Sequence, residues 1–379
     1  MTIADLSAGQ LGHIALHKAI RGRLASVREY GAVGDGVTDD TTAIQAAIDS
    51  GMVYLPRGIY KVGSLNFTKA RGLIVDGEHK TGSVLLLSTD GAVGLDMLGA
   101  NAVRISNLTI RGDVNNPPNV GVFLGRSTQS NGGECYFDNI IFDGVYGLGC
   151  IANHSSELNT YTNIRMQLYQ SPGMQFAYYF SGLNDWDITS QFATNADVAS
   201  MCSSWLSRLV VMCPANSEMV PFWLGHKANG FYLGDSYFYA ATAPCVVRMT
   251  GEQHISTVFR GLFVEGTPDD FLHLAPEVVA SSLEFDRVSC SAATRSPIYA
   301  EDGASVDNLS IVCCRMTPAY MRFYDLNRAD IRYWAANPGE IGGIEVARNL
   351  RYSNIIANRG GVTIGGLSVG NTVVNPYEA

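Results

Sequence analysis

Three acids, Asp187, Asp235 and Glu265, lie in the middle of a 379-residue chain among Tyr178, Tyr179, Trp186, Trp205, Trp223, Tyr232, Tyr237 and Tyr239. Cutting a glycosidic bond takes two carboxyls facing one another across the sugar, closer together for retention than for inversion. Aromatic rings supply apolar faces with a polar edge, which suits stacking on a sugar ring. The expected catalytic acids are therefore Asp187, Asp235 and Glu265, with Arg165, Trp223, Tyr232, Tyr237, Tyr239 and Arg260 as substrate-binding residues. His226, His254 and His273 share this region but are scattered, and they read as structural. There is no metal-ligand spacing, so neither a metal nor another cofactor is expected.

What must position these residues is a repeat. The template of an apolar residue, any residue, Asn or a substitute, then apolar, any, apolar is met by Ile105-Ser-Asn107, Phe137-Asp-Asn139, Tyr161-Thr-Asn163, Val306-Asp-Asn308 and Tyr352-Ser-Asn354, each with its following residues. Weaker copies centre on Gly72, Asp185, Arg208, Gly230, Arg287 and Arg328. Most successive copies lie about 20 to 28 residues apart, the period of a solenoid. Asn and Gly tolerate the left-handed backbone conformation, which lets a strand bend sharply and continue as the next strand of the same turn. The residue before the corner is polar in nearly every copy and is expected to point out. On this pattern Arg165, Asp187 and Tyr232 share one outward column, with Arg165 holding Asp187 ionised. Asp235 is expected to begin the strand after the Ala228 copy, with Glu265 on the following turn. Turn residues cluster in 111–134 and 214–221, which read as loops leaving the coil.

The coil needs an entry. In the stretch from Val27 to Tyr60, Gly34-Asp35-Gly36 is a tight turn, because glycine takes positive φ without penalty. Thr38 reads as a helix N-cap, followed by Asp39 and Asp40 against the positive end of the helix dipole. Ile44, Ala47 and Ile48 recur at helical spacing, Gly51 stops the helix, and two short strands follow with Pro56 and Gly58 at their corner. The spacing thus predicts a capping helix over about 38–50.

The segment Asp-Gly-Val-Thr-Asp-Asp-Thr-Thr-Ala-Ile-Gln-Ala-Ala-Ile-Asp from Asp35, followed by Val53-Tyr-Leu-Pro-Arg-Gly-Ile-Tyr, resembles the entry of the pectate-lyase-like superfamily of right-handed parallel β-helices. The resemblance implies an all-β, right-handed parallel β-helix solenoid whose short helix plugs its N-terminal end. That superfamily includes polygalacturonases, pectate lyases and phage tailspikes that cut bacterial surface polysaccharides. The polygalacturonase pattern is not reproduced: Asp269-Asp270 follows a proline, Gly-His-Gly is missing, and Gly225-His226-Lys227 is a poor substitute. Arg-Ile-Lys and the pectate-lyase motifs Trp-x-Asp-His and Arg-x-Pro-x-x-Arg are also missing. The resemblance therefore points to the tailspike branch: a homotrimeric depolymerase of capsule or O-antigen, on a virion tail and extracellular after host lysis. Hydrolysis is expected over β-elimination, because acids are plentiful and no cluster of Lys and Arg is visible. The alternatives are a polysaccharide lyase or a non-catalytic receptor-binding virion protein. A secreted pectinolytic enzyme or epimerase is disfavoured.

Composition agrees with a packed β protein: 16% charged residues, 40 glycines and 10% aromatics. A net charge of −9 disfavours nucleic acid as a partner. No apolar run is long enough to span a bilayer, and no N-terminal stretch reads as a signal peptide. The eight cysteines lack paired spacing and read as buried free thiols. Residues 1–26 read as an amphipathic arm for attachment or assembly, contacting a phage tail or adaptor protein. Residues 27–379 are expected to form the β-helix domain, with a glycine-rich tail from about 360.

Overall fold

The computed structural model describes residues 25–374 apart from 52, 69, 126–131, 169–172, 182–201, 214–217, 241, 291–292, 317–319, 335–342 and 357–361. All described strand pairs are parallel and link strands from successive turns. The chain winds a right-handed coil of about eleven turns with one α-helix. Each regular turn contributes one strand to each of three ladders. Ladder A contains Arg104–Ser106, Tyr136–Asp138, Asn159–Thr162, Cys202–Ser207 and Ala228–Gly234. Ladder B follows it around a sharp corner and contains Thr109–Gly112, Arg165–Gln167, Tyr237–Tyr239 and Phe263–Glu265. Ladder C contains Val120–Gly125, Phe176–Ser181, Val220–Leu224, Cys245–Met249, Asp270–Leu274 and Ser296–Ala300.

The corner between ladders A and B bears out the repeat. Asn107, Asn139, Asn163, Arg208, Asp235, Gly261, Arg287 and Cys313 all have φ between 46° and 62°. Asn139 Nδ2 donates to Asn107 Oδ1 at 2.7 Å, so the first asparagines bond up the coil. From Arg208 upward the position takes other residue types, which accept the cost of roughly 1–2 kcal/mol for a non-glycine left-handed residue. Four template copies belong elsewhere. Gly72, Gly230, Asn308 and Arg328 lie on a second left-handed corner, between ladders C and A, together with Ala102, Glu134, Leu158, Ser256, Ser282, Tyr352 and Gly370. Asn354 sits two residues beyond its corner, which is Tyr352. The copy at Asp185 lies outside the described residues.

The polar residues before the first corner do not all face solvent. Ser106 and Thr162 are buried, and Ser106 Oγ donates to Asp76 Oδ1 at 2.9 Å. Ladder side chains there satisfy one another along the coil axis instead of meeting water. Inside, stacked aromatics fill the tube: Phe137 on Tyr161 with centroids 5.1 Å apart, and Tyr178 on Phe222 at 4.8 Å. Seven of the eight cysteines are buried and all are free; Cys313, at a corner, is exposed.

At the N-terminal end the helix is Thr41–Ser50, with Ile44, Ala47 and Ile48 buried. It begins three residues later than the sequence predicts. Thr38 belongs to an extended stretch and its hydroxyl donates to Asp35 at 2.9 Å. Asp40 takes the cap position, but its buried carboxylate accepts instead from the amides of Val33 at 2.7 Å and Gly34 at 2.9 Å. Those bonds fix the Gly34 turn, where Tyr60 lies so close that an added Cβ would meet its ring at 2.7 Å. The coil already includes Ala25–Ser26, paired with Val53 and Tyr54, so it starts before the expected boundary at 27. The arm at 1–24 lies outside the described residues. Strands Leu367–Val369 and Thr372–Val374 continue the ladders, so the glycine-rich tail is coil as well. The stretch 111–134 is not all loop: Val120–Gly125 is a ladder C strand. It is buried on both faces, so it shows no alternation by which to recognise it.

Candidate functional site

Outward side chains of ladder C form a column that changes character along the coil. From the N-terminal side its registered members are Asp96, Phe123, Ala152, Tyr179, Trp223, Arg248, His273, Tyr299, Arg322 and Glu345. The lower members Phe123, Ala152 and Tyr179 are buried in a second apolar cluster outside the tube, together with Val93, Val120 and Phe176. From Trp223 upward the column is aromatic and charged.

Its centre is Asp270, fully buried beside the column at the start of its strand. Arg295 grips this carboxylate with two nitrogens, Nε at 2.9 Å from Oδ1 and Nη2 on Oδ2. The interaction strengthens the guanidinium's hold on its proton and raises its pKa. His273 Nδ1 lies 3.0 Å from Asp270 Oδ2, and its Nε2 lies 2.6 Å from Glu301 Oε1 at the more open rim. The Arg295 guanidinium lies 3.9 Å over the Tyr299 ring, and Arg322 lies 5.3 Å from the same ring. Arg322 is held by Asp302 at 2.5 Å and approaches Glu345 at 3.8 Å. Tyr320 donates its hydroxyl to Glu345; burial first, and then that carboxylate, push the phenol up to about 12.

Arg248 differs from its neighbours. It lies 4.9 Å over the Trp223 ring, has no carboxylate partner among the described residues, and its buried Nε makes no hydrogen bond. Trp223 is oriented by a 2.9 Å bond from Nε1 to Thr250 Oγ1. This wall can bind an anion at Arg248, exchange protons at His273 and Tyr299, whose rings are 5.5 Å apart, and hold Asp270 and Arg295 rigid behind them.

A family model described as rhamnogalacturonase A/epimerase, pectate lyase-like, matches residues 24–90, the entry segment and first turns. The chain is a parallel β-helix whose first turns match a pectate-lyase-like family model. Solved structures similar to this β-helix include the surface protein and adhesin PfbA of Streptococcus pneumoniae, with TM-score 0.51 and 14% identity over 93% of this chain and 97% of that one. The A-module of mannuronan C-5 epimerase AlgE4 of Azotobacter vinelandii gives 0.50 and 15% over 92% and 100%. Among curated proteins, mannuronan C5-epimerase AlgE5 of A. vinelandii is 58% identical over 43 residues, which is 10% of this chain and 4% of that relative's length.

The residues expected from sequence are distributed around the β-helix. Asp187 lies outside the described residues. Arg165 and Tyr232 do not share a column: Arg165 is on ladder B with Val210 and Tyr237, and Tyr232 is on ladder A with Trp205 and Val258. Asp235 does not begin a strand; it is an exposed corner residue with φ 46°. Glu265 is exposed on ladder B, accepts from the Tyr237 hydroxyl at 2.5 Å and is registered with Tyr239. Asp235 and Glu265 are on adjacent turns but four positions apart along the strand direction, on the order of 10 Å, with Tyr237 between them. Arg260, on ladder A, is occupied by Glu284 at 2.7 Å and Asp286 at 3.1 Å. Of the described members of the expected set, only Trp223 stands on the ladder C wall.

The absence of a basic cluster in the sequence is also corrected, since Arg248, Arg295 and Arg322 converge in space. They are separated by 20 to 50 positions in the chain, and only the turn length brings them together. Asp269-Asp270 was the one local signal for this site, and it marks the buried centre.

Proposed function

We propose that this β-helix binds an acidic polysaccharide along the ladder C wall and breaks it by β-elimination. The observation that carries this reading is Arg248, a guanidinium stacked on Trp223 without a carboxylate partner among the described residues, on the same column as His273 and Tyr299. Arg248 would neutralise a uronate carboxylate, which acidifies the proton on the adjacent carbon. Tyr299 would take that proton as its phenolate beside Arg295 and Arg322, the C–H electron pair forms the new double bond as the C–O bond breaks, and the glycosidic oxygen leaves with a proton from the His273 imidazolium, whose nitrogens face Asp270 and Glu301. Arg248 lies two turns below Tyr299, about 9.6 Å between backbones by strand spacing, a gap that these two long side chains must close to meet one sugar unit. The carboxylates Glu301, Asp302 and Glu345 are each engaged by a cationic or imidazole partner, and none is arranged as one of two carboxyls facing each other across a sugar, the pair that hydrolysis uses. The curated relative is named for acting on mannuronan, a uronate polymer, which supports the same substrate class.

The test is incubation with polymannuronate and polygalacturonate, following unsaturated ends by ultraviolet absorbance, reducing ends by colorimetry and C5 configuration by NMR. Unsaturated ends are expected, with Tyr299→Phe and His273→Gln each lowering the rate by about 10²-fold or more. Reducing ends without unsaturation would assign hydrolysis instead, and tight retention without any product would assign a binding protein.

A further inference from the structure

A different face of the coil carries a second feature. On ladder A, outward residues Arg104, Tyr136, Thr160, Trp205 and Tyr232 are registered one above the other. The top of this column is closed: Tyr232 stacks on Trp205 with centroids 3.8 Å apart and planes 14° from parallel. The bottom is closed too, because the Arg104 guanidinium lies 5.0 Å over the Tyr136 ring. Both rings therefore lie across the column axis, and their uncovered faces look toward each other. Among the described residues of the column only Thr160, a short side chain, stands between them; its neighbour Tyr161 points into the core.

Tyr136 and Trp205 are two turns apart, which sets their backbones about 9.6 Å from one another. An apolar ring held at ~4.5–5 Å from each aromatic face needs a gap of about this size. Trp205 is 53% exposed, so its indole is open to solvent despite the stacked tyrosine. Beside the slot lie polar groups that a hydroxylated ring can engage. They are the Thr160 side chain, Asp138 with Arg104 4.0 Å away, and Arg208, whose Nη2 donates to Thr162 at 3.1 Å. Two flat faces with a hydroxyl floor and charged edges suit a sugar ring better than an alkyl chain, which would leave those polar edges dehydrated.

We infer that the Tyr136–Thr160–Trp205 slot is a second saccharide-binding site, on a different ladder from the candidate active site, which clamps one sugar of a polymer between two aromatic faces. It would tether a long chain without touching the reacting bond. The polymer class rests on the function proposed above, whereas the slot's geometry does not.

Native electrophoresis through gels containing polymannuronate or polygalacturonate tests it. The wild-type chain is expected to be retarded. Trp205→Ala, which removes one wall, and Thr160→Phe, which fills the slot, should each weaken retention roughly tenfold. Circular dichroism identical to wild type would confirm that both variants fold. Product formation from short oligomers, too small to reach both sites, should be unaffected by Trp205→Ala. Conversely, Tyr299→Phe should lose product formation while keeping retardation. The inference is overturned if neither polymer retards the wild type, or if Trp205→Ala and Thr160→Phe migrate like it. Retardation that depends on Trp205 with no product from any polymer would instead sink the proposed reaction and leave the slot standing.

Discussion

Replacing Asp270 by Asn probes the centre of the ladder C wall with almost no change of shape. The carboxylate is fully buried and accepts from two nitrogens of Arg295, with His273 3.0 Å away. An amide keeps one acceptor but turns a donor toward a guanidinium and removes the charge that compensates it. Breaking a buried pair by removing one partner costs about 3–5 kcal/mol. Arg295 is 43% exposed and can recover hydration by turning outward, so the loss is discounted to about 2–3 kcal/mol. In a solenoid such a loss is felt by neighbouring turns more than by distant ones. Hydrogen exchange should therefore show lowered protection in Asp270–Leu274 and Ser296–Ala300, with little change at the capping helix. A double-mutant cycle in urea with Arg295→Met should give a coupling of about 2 kcal/mol. If Asp270→Asn lies within ~0.5 kcal/mol of wild type, or the coupling is near zero, the ion pair does not organise this wall and the reasoning fails.

Two further perturbations follow from features of the coil. His254 is fully buried with Nε2 2.9 Å from the Thr250 carbonyl, and burial lowers its pKa to about 4. The unfolded chain, near 6.5, binds the proton more readily, so His254 should cost stability as pH falls from about 6.5 to about 4, by roughly 3 kcal/mol in all. Urea midpoints across that window should show a steeper slope for wild type than for His254→Gln; equal slopes would count against the assignment. At the corner, Asn139→Ala combines left-handed strain with a lost side-chain bond and should cost about 2 kcal/mol, whereas Asn139→Gly should cost about half as much. Equal losses in thermal unfolding would mean that φ at this corner is not under strain.

How much of this was legible in the sequence depends on the range of the interactions. The Gly34 turn, the apolar face of Ile44, Ala47 and Ile48, and the asparagine corner are local, and local chemistry writes them into neighbouring residues. Where a corner is held by its surroundings, as at Arg208, Cys313 or Tyr352, the residue type carries no signal, and template copies slipped onto the wrong corner at Gly230 and Asn308. The wall was harder still. Its contacts join residues one turn apart, so Arg248, His273, Tyr299 and Arg322 form no motif, and a slip of a few residues in the repeat moved Tyr232 and Arg165 into one imagined column. Asp235 drew attention as a free acid because nothing local distinguishes a corner aspartate from a catalytic one.

Because each member of the wall is one winding above the last, the molecule is graduated like a ruler at the strand spacing of about 4.8 Å. Excising the 25 positions from Arg248 through Leu272 would join Val247 to His273 with the corners still in phase. His273 would then sit directly above Trp223, in the place Arg248 now holds. A protein built this way can lengthen or shorten its reach along a polymer by whole steps, moving anion-binding and proton-transferring groups relative to one another without redesigning its interior.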